Sequence, residues 1–226
     1  MASSLTQNDA LFQVSGLSHS YGAKQVLAID TWQLIPGEHQ LLLGPSGSGK
    51  TTFLGILSGL LSPTAGEVTA LGKSFGQMTS KDRSNFRANC FGFVFQDHHL
   101  VSSLTLEENL QLARHLAGLG EDTAWESKLL ALLGLKDLRK SKPASLSHGE
   151  AQRAAIARAA ITRPKILLAD EPTSALDDDN TRRVIELLKS LSEEAGSTML
   201  VASHDSRLKP FFDHTLVLSK QEAPQK

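Results

Sequence analysis

The run Gly44-Pro45-Ser46-Gly47-Ser48-Gly49-Lys50-Thr51, followed by Thr52, fits the pattern G-x-x-x-x-G-K-[ST] in full. Its glycines lack Cβ atoms, so successive backbone N–H groups can curl around phosphate oxygens. Lys50 brings a cation for the β- and γ-phosphates, and Thr51 brings a hydroxyl suited to Mg²⁺. A second candidate is Asp170-Glu171, two adjacent carboxylates behind the apolar run Ile166-Leu167-Leu168-Ala169. At the end of a buried strand, Asp170 can hold the metal, normally through water, and Glu171 can orient and deprotonate an attacking water. The segment D-E-P-T-S is also a reasonable helix-cap turn, but that reading leaves the strand before it unexplained. A third stretch, Leu146 to Arg153, reads L-S-H-G-E-A-Q-R at the head of an alanine-rich run.

These residues need elements to hold them. Gln40-Leu41-Leu42-Leu43 is a compact apolar strand that enters the glycine run, and a helical pattern follows it to about Leu60. Strand, glycine loop and helix is the order a phosphate-binding loop requires, with the helix N-terminus aimed at the anion. Alternating short apolar stretches and turns from Phe12 to Leu34 predict antiparallel strands, and Gly66 to Gly72 a further short one. From about Ser80 to Ser145 the pattern is mostly helical. Gly149 to Arg163 predicts a firm helix closed by Pro164. Ile166–Ala169 and Met199–Ala202 are unbroken apolar runs of the kind expected of parallel strands covered on both faces. Strands alternating with helices predict an α/β fold with a mainly parallel sheet. One domain is expected over 1–226. Its core spans 12–95 and 147–226, with an inserted helical lobe at about 96–146.

Lys plus Arg number 23 against 24 Asp plus Glu, a formal net charge of −1, which gives no support to nucleic-acid binding. The single cysteine, Cys90, asks for no oxidising compartment. The first ten residues are polar, are expected to be loose, and do not read as a secretory signal. No window approaches the roughly 18 apolar residues of a membrane-spanning helix. The chain is therefore expected to be soluble and cytoplasmic, with any membrane spans supplied by another polypeptide.

Taken singly, Tyr21 reads as a hairpin tyrosine, Gln96 as a surface glutamine and His204 as a packed histidine. In their order along the chain, the glycine loop, the L-S-H-G-E-A-Q-R stretch and the strand-end Asp-Glu resemble the nucleotide-binding subunit of an ABC transporter. The resemblance covers about Phe12 to Leu218. It implies a P-loop NTPase fold with a RecA-like parallel core, an N-terminal antiparallel part and a helical lobe. It also implies two chains sandwiching two ATP molecules head to tail. Tyr21 then matches the residue stacking on adenine, and Gln96, in F-V-F-Q-D, the glutamine that touches Mg²⁺ and links to an integral membrane permease. Ser174-Ala175-Leu176-Asp177 matches the loop communicating across the dimer, and His204 the switch histidine at the γ-phosphate. Ser147, Gly149 and Glu150 belong to the signature that closes on the partner's ATP, and Asp177 acts in trans with them.

The lack of spans and of V-G-E-x-G ahead of the signature excludes a fused exporter, and the chain has no room for the long coiled coils of DNA-repair relatives. Translation-factor relatives carry two such domains in one chain. A soluble ATPase of iron–sulfur cluster assembly remains an alternative, as does an importer subunit. Ala169, F-G-F-V-F-Q-D-H-H-L and L-T-L-E-E-N-L look like the lipoprotein-releasing, macrolide-exporting and cell-division group. Ser174 stands where that group usually has glycine. His98-His99 lack further ligands at metal-binding spacing and read as surface or coupling-face residues. In the signature, His148 stands in place of the first glycine. It should be tolerated, pointing away from the γ-phosphate, unless the backbone there demands a positive φ.

Overall fold

The computed structural model describes residues 10–174 and 176–220, so the polar segment 1–9 and Ala175 of the S-A-L-D loop lie outside the described residues. The described residues form two compact units, one from 10–84 with 200–220 and one from 85–199.

The first unit contains an antiparallel sheet and the strands around the glycine loop. β1 (Phe12–Tyr21) and β2 (Lys24–Leu34) form a hairpin, turning at Gly22 with φ 61°. Its register runs from Phe12↔Leu34 to Tyr21↔Lys24, with a shift between His19 and Ser20. β4 (Ala65–Ala70) pairs with the other edge of β1, and β5 (Lys73–Ser74) with β4. Period-two alternation sends Phe12 and Val14 of β1 and Leu27 and Ile29 of β2 into the core, and Gly16, at φ 55°, shifts the parity of β1 so that Leu17 is buried as well. β3 (Gln40–Leu43), buried at all four residues, pairs in parallel with β9 (His214–Val217) and with Leu200–Ser203 of β8 (Thr198–Ser203). From β3 the chain turns through the glycine loop into α1 (Lys50–Leu57), which buries Phe53, Leu54, Ile56 and Leu57. Trp32 of β2 packs edge-on against Phe53 at 5.2 Å and donates from Nε1 to Gln40 Oε1 at 3.0 Å. That contact fastens the antiparallel sheet to the root of the loop.

The chain passes into the second unit within α2 (Ser80–Cys90). Here β6 (Phe91–Val94) and β7 (Ile166–Asp170) form a parallel ladder, Phe91↔Ile166 to Val94↔Ala169. β6 interrupts the stretch from Ser80 to Ser145 that reads as mostly helical. α5 (His148–Ala160) is packed close to β6. A Cβ on Gly92 would stand 2.2 Å from Ala159 O, so only glycine permits that approach. The helical part comprises α3 (Leu106–Leu116), started by a Thr105/Glu108 capping box, and α4 (Thr123–Leu132), capped by Asp122. Both reach the end of α5. Trp125 Nε1 donates to Ala160 O at 3.3 Å and Arg114 Nη1 to Ile161 O at 3.0 Å. These donors reach carbonyls at the C-terminal end of α5, where Ala160 O also accepts from Arg163 N–H at 3.0 Å. α6 (Asp178–Ala195) buries Ile185, Leu188 and Leu191 and stops at left-handed Gly196. No helix among the described residues is long and apolar enough to cross a membrane.

Candidate nucleotide site and its relatives

In the first unit the glycine loop has the geometry of an anion cradle. Gly47 and Gly49 take φ 79° and 94°, and a Cβ on Gly49 would lie 2.6 Å from Val26 O. A Cβ on Gly44 would lie 2.5 Å from Ser48 Oγ and from Leu218 O. α1 has no side-chain cap hydrogen bond at its N-terminus, and the positive end of a helix dipole favours an anion there. Ser48 is 1% exposed and its Oγ has no hydrogen-bond partner. Lys50 is buried, and its Nζ donates to Gly44 O at 2.7 Å and Pro45 O at 3.3 Å. The cation is held within the loop, while Thr51 is exposed. An orphaned hydroxyl, an uncapped helix end and a buried ammonium suit a phosphate chain.

The other predicted residues of this unit flank the loop. Gly44 N–H donates to Ser203 O at 3.1 Å, which places exposed His204 one residue from the β3–loop junction. Tyr21 is 55% exposed at the end of β1, as a ring that stacks on a ligand would have to be. His19, which the sequence reading passed over, packs edge-on to it, with centroids 4.7 Å apart and planes at 82°. Both His19 ring nitrogens are buried without hydrogen-bond partners. His19 pairs with Leu27 across the hairpin, and Leu27 Cδ1 lies 3.4 Å from the Cβ position of Gly49. A line of contacts thus runs from Tyr21 through His19 and Leu27 to the glycine loop. Strand alternation, which puts residues i and i+2 on one face, is the signal that could have found His19.

In the second unit, Asp170 ends β7 and is 7% exposed. Glu171 follows at φ 49°, a left-handed conformation costly for a side-chain-bearing residue and often found where function demands it. Ser174 N–H donates back to Glu171 O at 3.1 Å. Buried Gln152 of α5 donates to Pro172 O, joining the signature helix to the turn behind Glu171. Nothing in the sequence pattern marked Gln152 for this. Asp177 caps α6 by accepting from Asn180 N–H at 2.8 Å.

Ser147 is the N-cap of α5, in a reciprocal capping box with Glu150. Its N–H and its hydroxyl each donate to Glu150 Oε2 at 2.7 Å, and Glu150 N–H donates to Ser147 Oγ at 3.3 Å. The two Ser147 donations hold the Glu150 carboxyl below the usual glutamate range. His148 lies inside the helix and is absent from the residues with positive φ, so its side chain strains nothing. Its ring packs against His98, with centroids 4.9 Å apart and planes at 52°. Gln96, two residues before His98, is exposed. Burial first, then the neighbouring His148 and Arg158, hold His98 below the ordinary histidine range, with Asp97 opposing.

Comparison with known proteins gives this geometry its context. The family model described as "ABC transporter" matches residues 27–174. A lipoprotein-releasing system ATP-binding protein, LolD, of Bacteroides thetaiotaomicron is 38% identical, over 91% of this chain and 95% of its own. An uncharacterised ABC transporter ATP-binding protein of Mycobacterium tuberculosis is 39% identical, over 92% and 86%. Among solved structures, the dimeric bacterial ABC transporter cassette MJ0796 superposes with TM-score 0.83 at 31% identity, covering 95% of this chain and 100% of that one. A post-hydrolysis dimer of the same cassette, bound to ADP and Pi, also gives 0.83 at 31%, covering 93% and 97%. These relatives match the expected lipoprotein-releasing likeness and lend the iron–sulfur alternative no support. With the family match over most of its length and relatives along nearly all of it, the chain belongs to the ABC transporter family.

Proposed function

We propose that this chain pairs head to tail with a second copy, binds two ATP molecules in the shared faces, and uses their hydrolysis to drive a separate membrane subunit. ATP binding and hydrolysis follow from the family and from the cassette relatives. The cargo class we assign is that of the lipoprotein-releasing systems, on a likeness that runs the length of both chains. The observation that carries the ATP site is the glycine cradle at the uncapped start of α1, with Lys50 buried inside it.

Roles are assigned residue by residue. Tyr21 stacks on adenine. The N–H groups of Gly44 to Thr52 wrap the phosphates, and Lys50 neutralises them. Mg²⁺ is assigned to Thr51, Asp170 and Gln96, and when bound it would spread the charge developing on the β- and γ-phosphates. Glu171 orients and deprotonates the attacking water, and His204 contacts the γ-phosphate. Across the dimer Ser147 donates its hydroxyl and Gly149 its N–H to the same phosphate. A Cβ on Gly149 would meet only Arg153 Nη1, at 3.5 Å, so this backbone is open to a visitor. Asp177 and Glu150 flank the clamp. Cleavage removes the shared γ-phosphate contacts and releases the pair.

The membrane subunit needs a face. The second unit has an apolar groove of about 360 Å³ lined in part by Phe91, Phe93, Phe95, Val101, Leu112 and Leu116. Leu116 is 67% exposed there, and Gln96 directly follows Phe95. We assign the groove to a helical segment of the permease, and to the chain a peripheral seat on the cytoplasmic face of the membrane.

The test is Glu171→Gln in size-exclusion chromatography with light scattering. We expect monomer without nucleotide and a stable dimer with ATP, since binding survives while water activation is lost. Elution as monomer at saturating ATP, or an undiminished ATPase rate, would remove the reading. Recovery of a transmembrane subunit from native membranes on a tagged chain checks the transport role.

A further inference from the structure

We propose that His148 is a positioning residue whose ring, packed on His98, ties the signature Ser147 to the loop carrying Gln96, so that movement of that loop is passed to the signature. The inference rests on the function proposed above. The backbone gives no other reason for a histidine here. Position 148 is the first residue of α5 and has no positive φ, so the backbone there does not call for histidine. What the side chain adds is the contact with His98, 4.9 Å between centroids. Two histidines do not make a metal site, and no group of three or more His, Cys, Asp and Glu is placed to hold one among the described residues.

A link transmits motion only if both ends are stiff. On one side, Ser147 and His148 sit at the capped start of α5, locked by the Glu150 capping box. On the other side, the segment behind Gln96 is braced internally. Phe93 stacks on Phe95 at 4.3 Å, and Phe95 meets His99 edge-on at 5.0 Å. His99 is held at φ 49°, a conformation that persists only where its surroundings enforce it. A second tie lies further along the same helix, where Arg158 donates to His99 O. Ten residues separate 148 from 158, so the loop is gripped over roughly 15 Å of one helix. The two ties differ in kind. Arg158 fixes the loop backbone, whereas the His98–His148 pair reaches the cap residue whose hydroxyl serves the partner's phosphate.

The test is a double-mutant cycle on ATP-driven dimerisation in the Glu171→Gln background. His98→Ala and His148→Ala should each raise the protein concentration for half-dimerisation about three- to tenfold, the scale of one aromatic pair. Combined, they should cost no more than either alone, because both remove the same contact. Replacing both with Phe should bring the midpoint back within about twofold of the parent, an outcome that mere loss of folding would not give. Losses that multiply, or that the Phe pair fails to restore, would overturn the inference. An additive cycle on a dimerising parent removes this link alone. A parent that stays monomeric under ATP removes the underlying function and the link together.

Discussion

Ser147 caps α5, and the proposed dimer asks its one hydroxyl for a second, competing task. Within its own chain the hydroxyl is already donated, at 2.7 Å, to a Glu150 carboxylate that also takes the Ser147 N–H. In the proposed dimer it must be donated to a phosphate carrying negative charge of its own. A carboxylate at 150 therefore orients the serine well but keeps an anion close to where another must arrive. Loss of an oxyanion-type donor costs on the order of 10²–10³ in rate, and loss of a cap about 1 kcal/mol of stability. Ser147→Ala is thus expected to lower kcat by two to three orders of magnitude while ATP still binds the isolated chain. Steady-state ATPase and fluorescent-nucleotide titration would check both, and a loss below tenfold would mean that Ser147 does not touch the phosphate.

At the scale of elements, close packing of backbone on backbone sets the tolerances. β6 lies so near α5 that an added methyl at Gly92 would stand 2.2 Å from Ala159 O. That oxygen is part of a helix and cannot step aside as a side-chain end could. Gly92→Ala should destabilise the fold by about 1–3 kcal/mol, seen as a fall in melting temperature of several degrees. An unchanged melting curve would show that the contact is looser than described.

The same strand shows how far the sequence could be read. β3 and β7 were legible as unbroken apolar runs ending in chemical motifs, and α5 as an alanine-rich helix ahead of Pro164. β6 was not, because F-G-F-V is short and becomes a strand by pairing with Ile166–Ala169, a distant partner that local pattern does not reveal. The strand and helix on either side of the phosphate-loop pattern were legible as well, since a fixed spacing of glycines leaves the backbone little choice. The supports of the site were not. His19 beneath Tyr21, Gln152 on Pro172 O and Arg158 on His99 O are contacts between separate elements, written in no single window of sequence.

For the molecule as a whole, the phosphate loop depends on segments far along the chain. β3 pairs with Leu200–Ser203 on one side and His214–Val217 on the other, and Leu218 N–H donates to Leu43 O at 2.7 Å. Ending the chain at Asp213 removes one of those neighbours and opens an edge on the strand that carries the loop. We expect such a truncation to weaken ATP binding more than tenfold, and to give a broader, lower-temperature unfolding transition. Titration and calorimetry would show it. Retention of full affinity would place the support for the loop elsewhere.

The same arrangement has a consequence for how the protein is made. A ribosome delivers β3 and the glycine loop well before either of the strands, β8 and β9, that flank β3. Until then the nascent chain holds a complete phosphate-binding motif on a strand with no neighbours. ATP can therefore reward only chains made past β8 and β9, so nucleotide in the cell favours these over chains terminated before Thr198.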